Sequence, residues 1–225
     1  WSRGLGDVYK RQAEVSSGGG TPVQVALPAN AQAGDVISTV VTKPNGATLT
    51  LTTTLSPSDI SSGSISQLIP SASLTGEGNW TTSTSINGGA AVPGGFKLDT
   101  TPPAISLSTV VDDVPGVTGN LSSGATSNDG TPTLTFSAEA GSTVKVYDGT
   151  NLLGTATEGP AGTFTFTPTT ALADGAHSLT ATATDPAGNT SAATTAFALT
   201  VDTAAPGISL NTVVDDVPGI TGNLS

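Results

Sequence analysis

The chain contains no cysteine and no methionine, only nine aromatic residues, and six basic residues against seventeen acids. Without cysteine there is neither a disulfide framework nor a thiolate site. That does not fix the compartment, because a secreted protein can use metal ions in place of disulfides. Without methionine no start is visible. The sequence reads as an internal fragment, so a missing signal peptide carries no information. No apolar run approaches transmembrane length, so no membrane insertion is expected in this segment. The formal charge of −11 makes nucleic acid a poor partner, since few cations could displace counterions from phosphates. An anionic membrane surface is as poor.

What is present points to strands. Gly (28) and Pro (15) punctuate runs of Thr, Ser, Val and Ala over 225 residues, enough for one or two domains with real cores. This mixture disfavours helix and suits strands joined by turns. It is too apolar for a disordered chain. Thirteen acids are Asp and four are Glu, and Asp favours turns and metal loops.

The first twelve residues, "WSRGLGDVYKRQ", hold half of the basic residues. "DVYKRQ" back-translates to a string like the transposon end of a sequencing-library adaptor. We read residues 1–12 as translated adaptor or its flank and exclude them from fold reasoning.

Residues 98–122, "LDTTPPAISLSTVVDDVPGVTGNLS", match residues 201–225, "VDTAAPGISLNTVVDDVPGITGNLS", at nineteen of twenty-five positions, 103 residues apart. That period is too long for a solenoid repeat and suits a whole sandwich domain in tandem. Within it, seven runs read as strands: "AISLSTVV", "TPTLTFSA", "STVKVYD", "NLLGTAT", "GTFTFTP", "HSLTATAT" and "TTAFALTV". Turn signals such as "DGT", "EGPAG" and "DPAGN" separate them. Alternation puts Leu134 and Phe136, Val144 and Val146, Phe164 and Phe166, and Leu179, Ala181 and Ala183 on apolar faces, with Lys145 outward. Seven antiparallel strands with one apolar face each make a two-sheet sandwich. Before this unit, "TPVQVALP", "GDVISTVVT", "ATLTLTTTL", "SISQLIP", "NWTTSTSI" and "GGFKL" read as the strands of a second, diverged module. "SPSDI" makes one helical turn, and Trp80 is its large core aromatic.

The stretches "DTTPP", "VVDDVPGVTGNLSSGATSNDGTPTL" and "VYDGTNLLGTATEGPAGTFTFTPTTALADGAHSLTATATDPAGNTS" resemble the bacterial immunoglobulin-like repeats of giant biofilm-associated, RTX-type surface adhesins. The likeness covers about residues 99–201 and the start of the next copy. "VALPANAQAGDVISTVV" and "LSPSDISSGSISQLIP" resemble a second repeat type of such proteins. The expected fold is all-β, with tandem Ig-like antiparallel β-sandwich modules in an extended array. Residues 13–98 form a diverged module, residues 99–202 a full one, and residues 203–225 the truncated start of the next. The resemblance implies an extracellular stalk at the bacterial cell surface that stiffens on binding calcium. Its partners are neighbouring modules of the same chain and a distal adhesive domain outside this fragment.

Strand direction then sorts the acids. In a seven-stranded sandwich the incoming linker and every second loop share one end, and the other loops share the opposite end with the outgoing linker. Asp99, Glu139 and Asp185 fall at the near end. Asp112, Asp113, Asn128, Asp129, Asp148, Asp174 and Asp202 fall at the far end. Crowded carboxylates repel unless neutralised, and Ca²⁺ accepts six to eight oxygen ligands without strict geometry. With one His and no Cys, Zn²⁺ is a poor fit. The candidate metal ligands are Asp99, Asp112, Asp113, Asp129, Asp185 and Asp202, with Asp215 and Asp216 as the copies of the adjacent pair. The bland reading, solvated turn residues, stays open for all of them.

Catalysis is not expected, since the lone His177 has no positioned nucleophile in the sequence. The leading function is a non-catalytic extracellular spacer in a surface adhesin, serving cell adhesion and biofilm formation. The alternatives are a glycan- or protein-binding module, or an accessory domain of a secreted enzyme.

Overall fold

The computed structural model describes residues 9–10, 19–160 and 162–211. The expectations for the rest of residues 1–12, and for Asp215 and Asp216, fall outside the described residues. Among the described residues the regular structure is almost entirely strand, as the composition suggests.

In the first module, β2 (Gly20–Ala26), β3 (Val36–Thr42), β4 (Thr48–Thr54), β5 (Ser64–Pro70), β6 (Gly78–Ile86) and β7 (Val92–Leu98) match the six expected runs. One sheet has the order β7-β6-β3-β4, all antiparallel; β2 and β5 pair as the second. β1 (Tyr9–Lys10) adds to the edge of β7 in parallel, a contact that an open strand edge offers to any extended dipeptide. Period-two alternation decides the core: Ile37, Thr39 and Val41 of β3 face Ile65, Gln67 and Ile69 of β5. Gln67 therefore lies in the core. Its Nε2 donates to Thr53 Oγ1 (3.1 Å) and, at 3.4 Å, to the carbonyls of Ile37 and Leu51. Trp80 is buried as expected, but it is not the only core aromatic. It stacks on Phe96 at a centroid distance of 5.7 Å, and its Nε1 donates to Gly76 O.

The expected helical turn is α1 (Pro57–Ser62). Its start is written locally. Ser56 Oγ accepts from Asp59 N while Asp59 Oδ2 accepts from Ser56 N, and Pro57 sits where a missing N–H costs nothing. Gly63 ends it at φ 69°, the left-handed conformation that glycine adopts without strain.

The second module contains β8 (Ile105–Asp112), β9 (Gly119–Asn120), β10 (Ala125–Ser127), β11 (Thr133–Ala138), β12 (Thr143–Asp148), β13 (Asn151–Thr155), β14 (Thr157–Glu158), β15 (Thr163–Phe166), β16 (Gly175–Thr184) and β17 (Phe197–Val201). Two five-stranded sheets, β14-β15-β11-β8-β9 and β10-β17-β16-β12-β13, enclose one core. All seven expected strands are present, and the apolar residues assigned by alternation are buried. The run "NLLGTAT" divides between the sheets: β13 pairs with β12, β14 pairs with β15, and buried Ala156 marks the crossing. Phe166 and Phe164 stand opposite Leu134 and Phe136 in register, an effective cross-strand arrangement.

Beyond β17, residues 202–211 run on without further strand. Ile208 is 99% exposed and Leu210 is 81% exposed. Their counterparts 103 residues earlier, Ile105 and Leu107, are half-buried and pack on the second module's core.

Candidate cation sites at the two ends of the second module

The far end is where β8, β12 and β17 finish and β11 and β16 begin. β8 alternates so that Val110 and Asp112 face inward. Asp112 is 1% exposed, whereas Asp113 is exposed. The two aspartates are adjacent in sequence but turn to opposite sides, as neighbours on an extended chain do.

Asp112 Oδ2 accepts from Ser127 Oγ (2.5 Å) and Oδ1 from Val114 N (2.9 Å). Ser127 Oγ accepts from Asp129 N (3.0 Å), and Ser127 O accepts from Asp202 N (2.9 Å). Ser127 thus ties together three of the expected residues: Asp112, Asp129 and Asp202. Asp129 is 1% exposed. Its Oδ1 accepts from Thr131 N (2.7 Å) and Thr131 Oγ1 (3.2 Å). Its Oδ2 is buried without a hydrogen-bond partner, and so is Asn128 Oδ1. Asp202 is exposed and its Oδ1 accepts from Ala204 N (3.1 Å).

At the near end, Asp185 is 6% exposed and is answered by its own loop. Asn189 N donates to Oδ1 and Asn189 Nδ2 to Oδ2, both at 2.8 Å. Asn189 Nδ2 also donates to Asp99 O (3.0 Å), which brings Asp99 and Asp185 to one place. Asp99 Oδ2 pairs with Lys97 Nζ at 3.2 Å. The strand directions read from the sequence therefore sort these acids to the ends where they stand.

The two ends differ chemically. Asp112, Asp129 and Asp185 have no cationic partner among the described residues. Asp185 is balanced by the amide of Asn189. At the far end two buried oxygens, one a carboxylate, lack any donor. An unanswered buried acceptor is costly, and it fits an oxygen-seeking cation such as Ca²⁺. Among the described residues no three His, Cys, Asp or Glu side chains converge on one metal position. A cation here would draw on Asn128 and on backbone carbonyls besides Asp112 and Asp129.

Asp148 and Asp174 have other engagements. Asp148 Oδ2 meets His177 Nδ1 at 2.7 Å, and Asp174 Oδ1 accepts from Thr203 N and Oγ1. Both contacts lay beyond the sequence reading. The partners lie 29 residues away, so no local pattern signals them.

The architecture defines this unit as a two-sheet β-sandwich, antiparallel except for the β10–β17 pair, with loop acids gathered at both ends. Residues 101–203 match the family model of the bacterial Ig-like domain. No curated protein matches the chain. Among solved structures, the BSP domain of a biofilm-associated protein is 26% identical, covering 83% of this chain and 28% of that one, with a TM-score of 0.30. A 1.5-MDa bacterial ice-binding adhesin is 16% identical over 86% of this chain and 61% of that one, TM-score 0.43. A Ca²⁺-stabilised adhesin that helps an Antarctic bacterium bind ice is 19% identical over 88% and 47%, TM-score 0.41. The chain thus spans from about a quarter to under two thirds of these proteins' lengths.

Proposed function

We propose that this chain is a non-catalytic spacer segment of a bacterial surface adhesin, in which Ig-like modules follow one another and Ca²⁺ stiffens their junctions. The observation that carries the spacer reading is the start of the next copy. Residues 201–211 carry nearly the sequence with which residues 98–108 lead into the module before. The repeat of the linker sequence, at an offset of 103 residues, supports the same reading.

The calcium reading is supported by the buried, donorless Asp129 Oδ2 beside Asp112. Asp112, Asp129, Asn128 and Asp202 would hold the ion at the far end. Asp113, on the solvent side, is placed to reach an ion only from the loop surface. Asp99 and Asp185 would contribute at the preceding junction, and Asp215 and Asp216 in the next copy. Bound calcium would supply positive charge and remove hinge freedom, and no chemistry passes through it. The glycan-binding alternative needs exposed aromatic faces. Among the described residues Trp80 and all five Phe are buried, and Tyr147 is half-buried.

A thermal melt of the whole chain with about 5 mM CaCl₂ and again with chelator tests the calcium reading. A site with Kd near 10⁻⁴–10⁻³ M adds about 1–2 kcal/mol by mass action, which raises Tm by roughly 5 °C or more for a module of this size. The shift is expected to vanish in Asp129→Asn. Equal melts with and without calcium would return these acids to plain loop residues.

A further inference from the structure

Two linkers of nearly the same sequence leave two modules of different sequence, and both are held in the same way. Leu98 closes β7 and Val201 closes β17, and each is followed by Asp-Thr. Opposite Leu98 stands Gly78, the first residue of β6; opposite Val201 stands Gly175, the first residue of β16. Each glycine is preceded by an acid, Glu77 or Asp174.

Glu77 Oε1 accepts from Thr100 N (2.9 Å), Thr100 Oγ1 (2.5 Å) and Thr101 Oγ1 (2.8 Å). Asp174 Oδ1 accepts from Thr203 N (3.0 Å) and Thr203 Oγ1 (2.8 Å). Thr100 and Thr203 are the same repeat position, 103 residues apart. In both modules one carboxylate oxygen takes the backbone and the hydroxyl donor of the second linker residue. The next turn is shared as well: Asp99 Oδ1 accepts from Thr101 N and Asp202 Oδ1 from Ala204 N.

We propose that Glu77 and Asp174 are positioning residues that clamp the outgoing linker of each module, setting the direction in which the chain leaves without help from a metal ion. The parts needed are few. A glycine at positive φ (117° for Gly78, 133° for Gly175) begins the strand beside the last one. There the chain turns in a way closed to most side chains. The acid before it then lies beside the end of the last strand. Charge-assisted bonds from two donors of one threonine fix that residue's backbone as well as its side chain. Glu77, one methylene longer than Asp174, also reaches Thr101. The hydrogen bonds from Thr100 and Thr101 hold the Glu77 carboxyl below its usual range, and those from Thr203 do the same for Asp174. Both acids are therefore ionised, and thus acceptors only, at neutral pH.

Neither clamp acid is a candidate cation ligand, but Asp99 and Asp202 of the adjoining turns are, so the clamp must hold with no metal ion bound. It is tested in the whole chain with chelator present, by amide hydrogen exchange read residue by residue. Thr100 and Thr203 amides are expected to be protected in the unaltered chain, although they lie outside any strand. Glu77→Ala is expected to speed exchange at Thr100 by about tenfold or more, the factor that one lost bond to a charged group allows, and to leave Thr203 unchanged. Asp174→Ala is expected to do the reverse. Amides of Val41 and Val146 report whether each module is still folded. Should an alanine variant unfold, Thr100→Val and Thr203→Val keep the amide and remove one donor, and are expected to speed exchange at their own sites only. Free exchange of both linker amides in the unaltered chain would overturn the proposal. So would exchange at Thr100 that is indifferent to Glu77 in a folded chain.

Discussion

Raising the pH from 6 to 9 should weaken the second module through one residue, His177. Its Nδ1 lies 2.7 Å from Asp148 Oδ2 and its Nε2 lies 2.7 Å from Ala173 O. A carboxylate and a carbonyl can only accept, so both ring nitrogens must donate, and only the imidazolium has two N–H groups. Burial opposes that charge, but the bonds to Asp148 and Ala173 and the negative charge of Asp148 outweigh it and raise the His177 pKa. Burial likewise opposes the charge on Asp148, and its bonds to His177 and Ser178 N outweigh it and lower the Asp148 pKa. The signs follow by linkage. The contribution of His177 is fully present below its ordinary value of 6.5 and is lost as pH rises through its raised folded-state value. That of Asp148 is present above 3.8 and is lost as pH falls through its lowered value. Deprotonation of His177 removes one bond to an oxygen acceptor, about 1–2 kcal/mol for a group this well covered. For a module of about 100 residues that is a fall in Tm of roughly 5–10 °C. The assay is Tm against pH for the unaltered chain and for His177→Gln, with the imidazole titration followed by NMR. Parallel Tm curves for the two chains between pH 6 and 9 would refute the argument. Asp174, next to Ala173 in the chain, has a carboxyl held below its usual range by Thr203 and does not titrate in this window.

Two substitutions test the packing. Trp80→Ala removes the largest buried side chain of the first module and its stack on Phe96, and should cost about 3–5 kcal/mol; chemical denaturation followed by circular dichroism should show the first transition moving and the second holding still. At Gly154 an added Cβ would lie 2.8 Å from Cε2 at the edge of the Phe166 ring, which is itself buried. Gly154→Ala should therefore lower the second module's stability by about 1–3 kcal/mol, whereas Gly149→Ala, whose Cβ meets nothing within 4 Å, should lose only what its left-handed φ of 55° demands.

The strands were legible because each carries one apolar face, and Leu134, Phe136, Val144 and Val146 need only period two to be placed. The ends of the module were legible for the same reason: strand direction alone assigns Asp112, Asp129 and Asp202 to one end and Asp99 and Asp185 to the other. What alternation also implied, and adjacency concealed, is that Asp112 and Asp113 part company at the end of β8. Ser127, which gathers the far-end acids, looks like any serine in a serine-rich chain. The linker clamps were hidden for a different reason. Comparing the two repeat copies exposes what they share, but Glu77 and Asp174 lie in modules without common sequence. The readable signal was an acid-glycine pair ahead of the strand that precedes the last one. His177 and Asp148 meet only because β12 and β16 are neighbours in the sheet, a pairing that depends on topology rather than on local pattern.

The short strand β10 has a mechanical meaning. It runs parallel to β17, with Ala125, Thr126 and Ser127 beside Leu199, Thr200 and Val201. A pull on the outgoing linker draws β17 toward the far end, while a pull on the incoming linker, passed on through β8 and its loop, draws β10 toward the near end. The two strands are then asked to slide past one another lengthwise. Bonds such as Gly124 N to Ala198 O and Asp202 N to Ser127 O lie across that motion and take the load together, in shear, instead of opening one at a time like a zip.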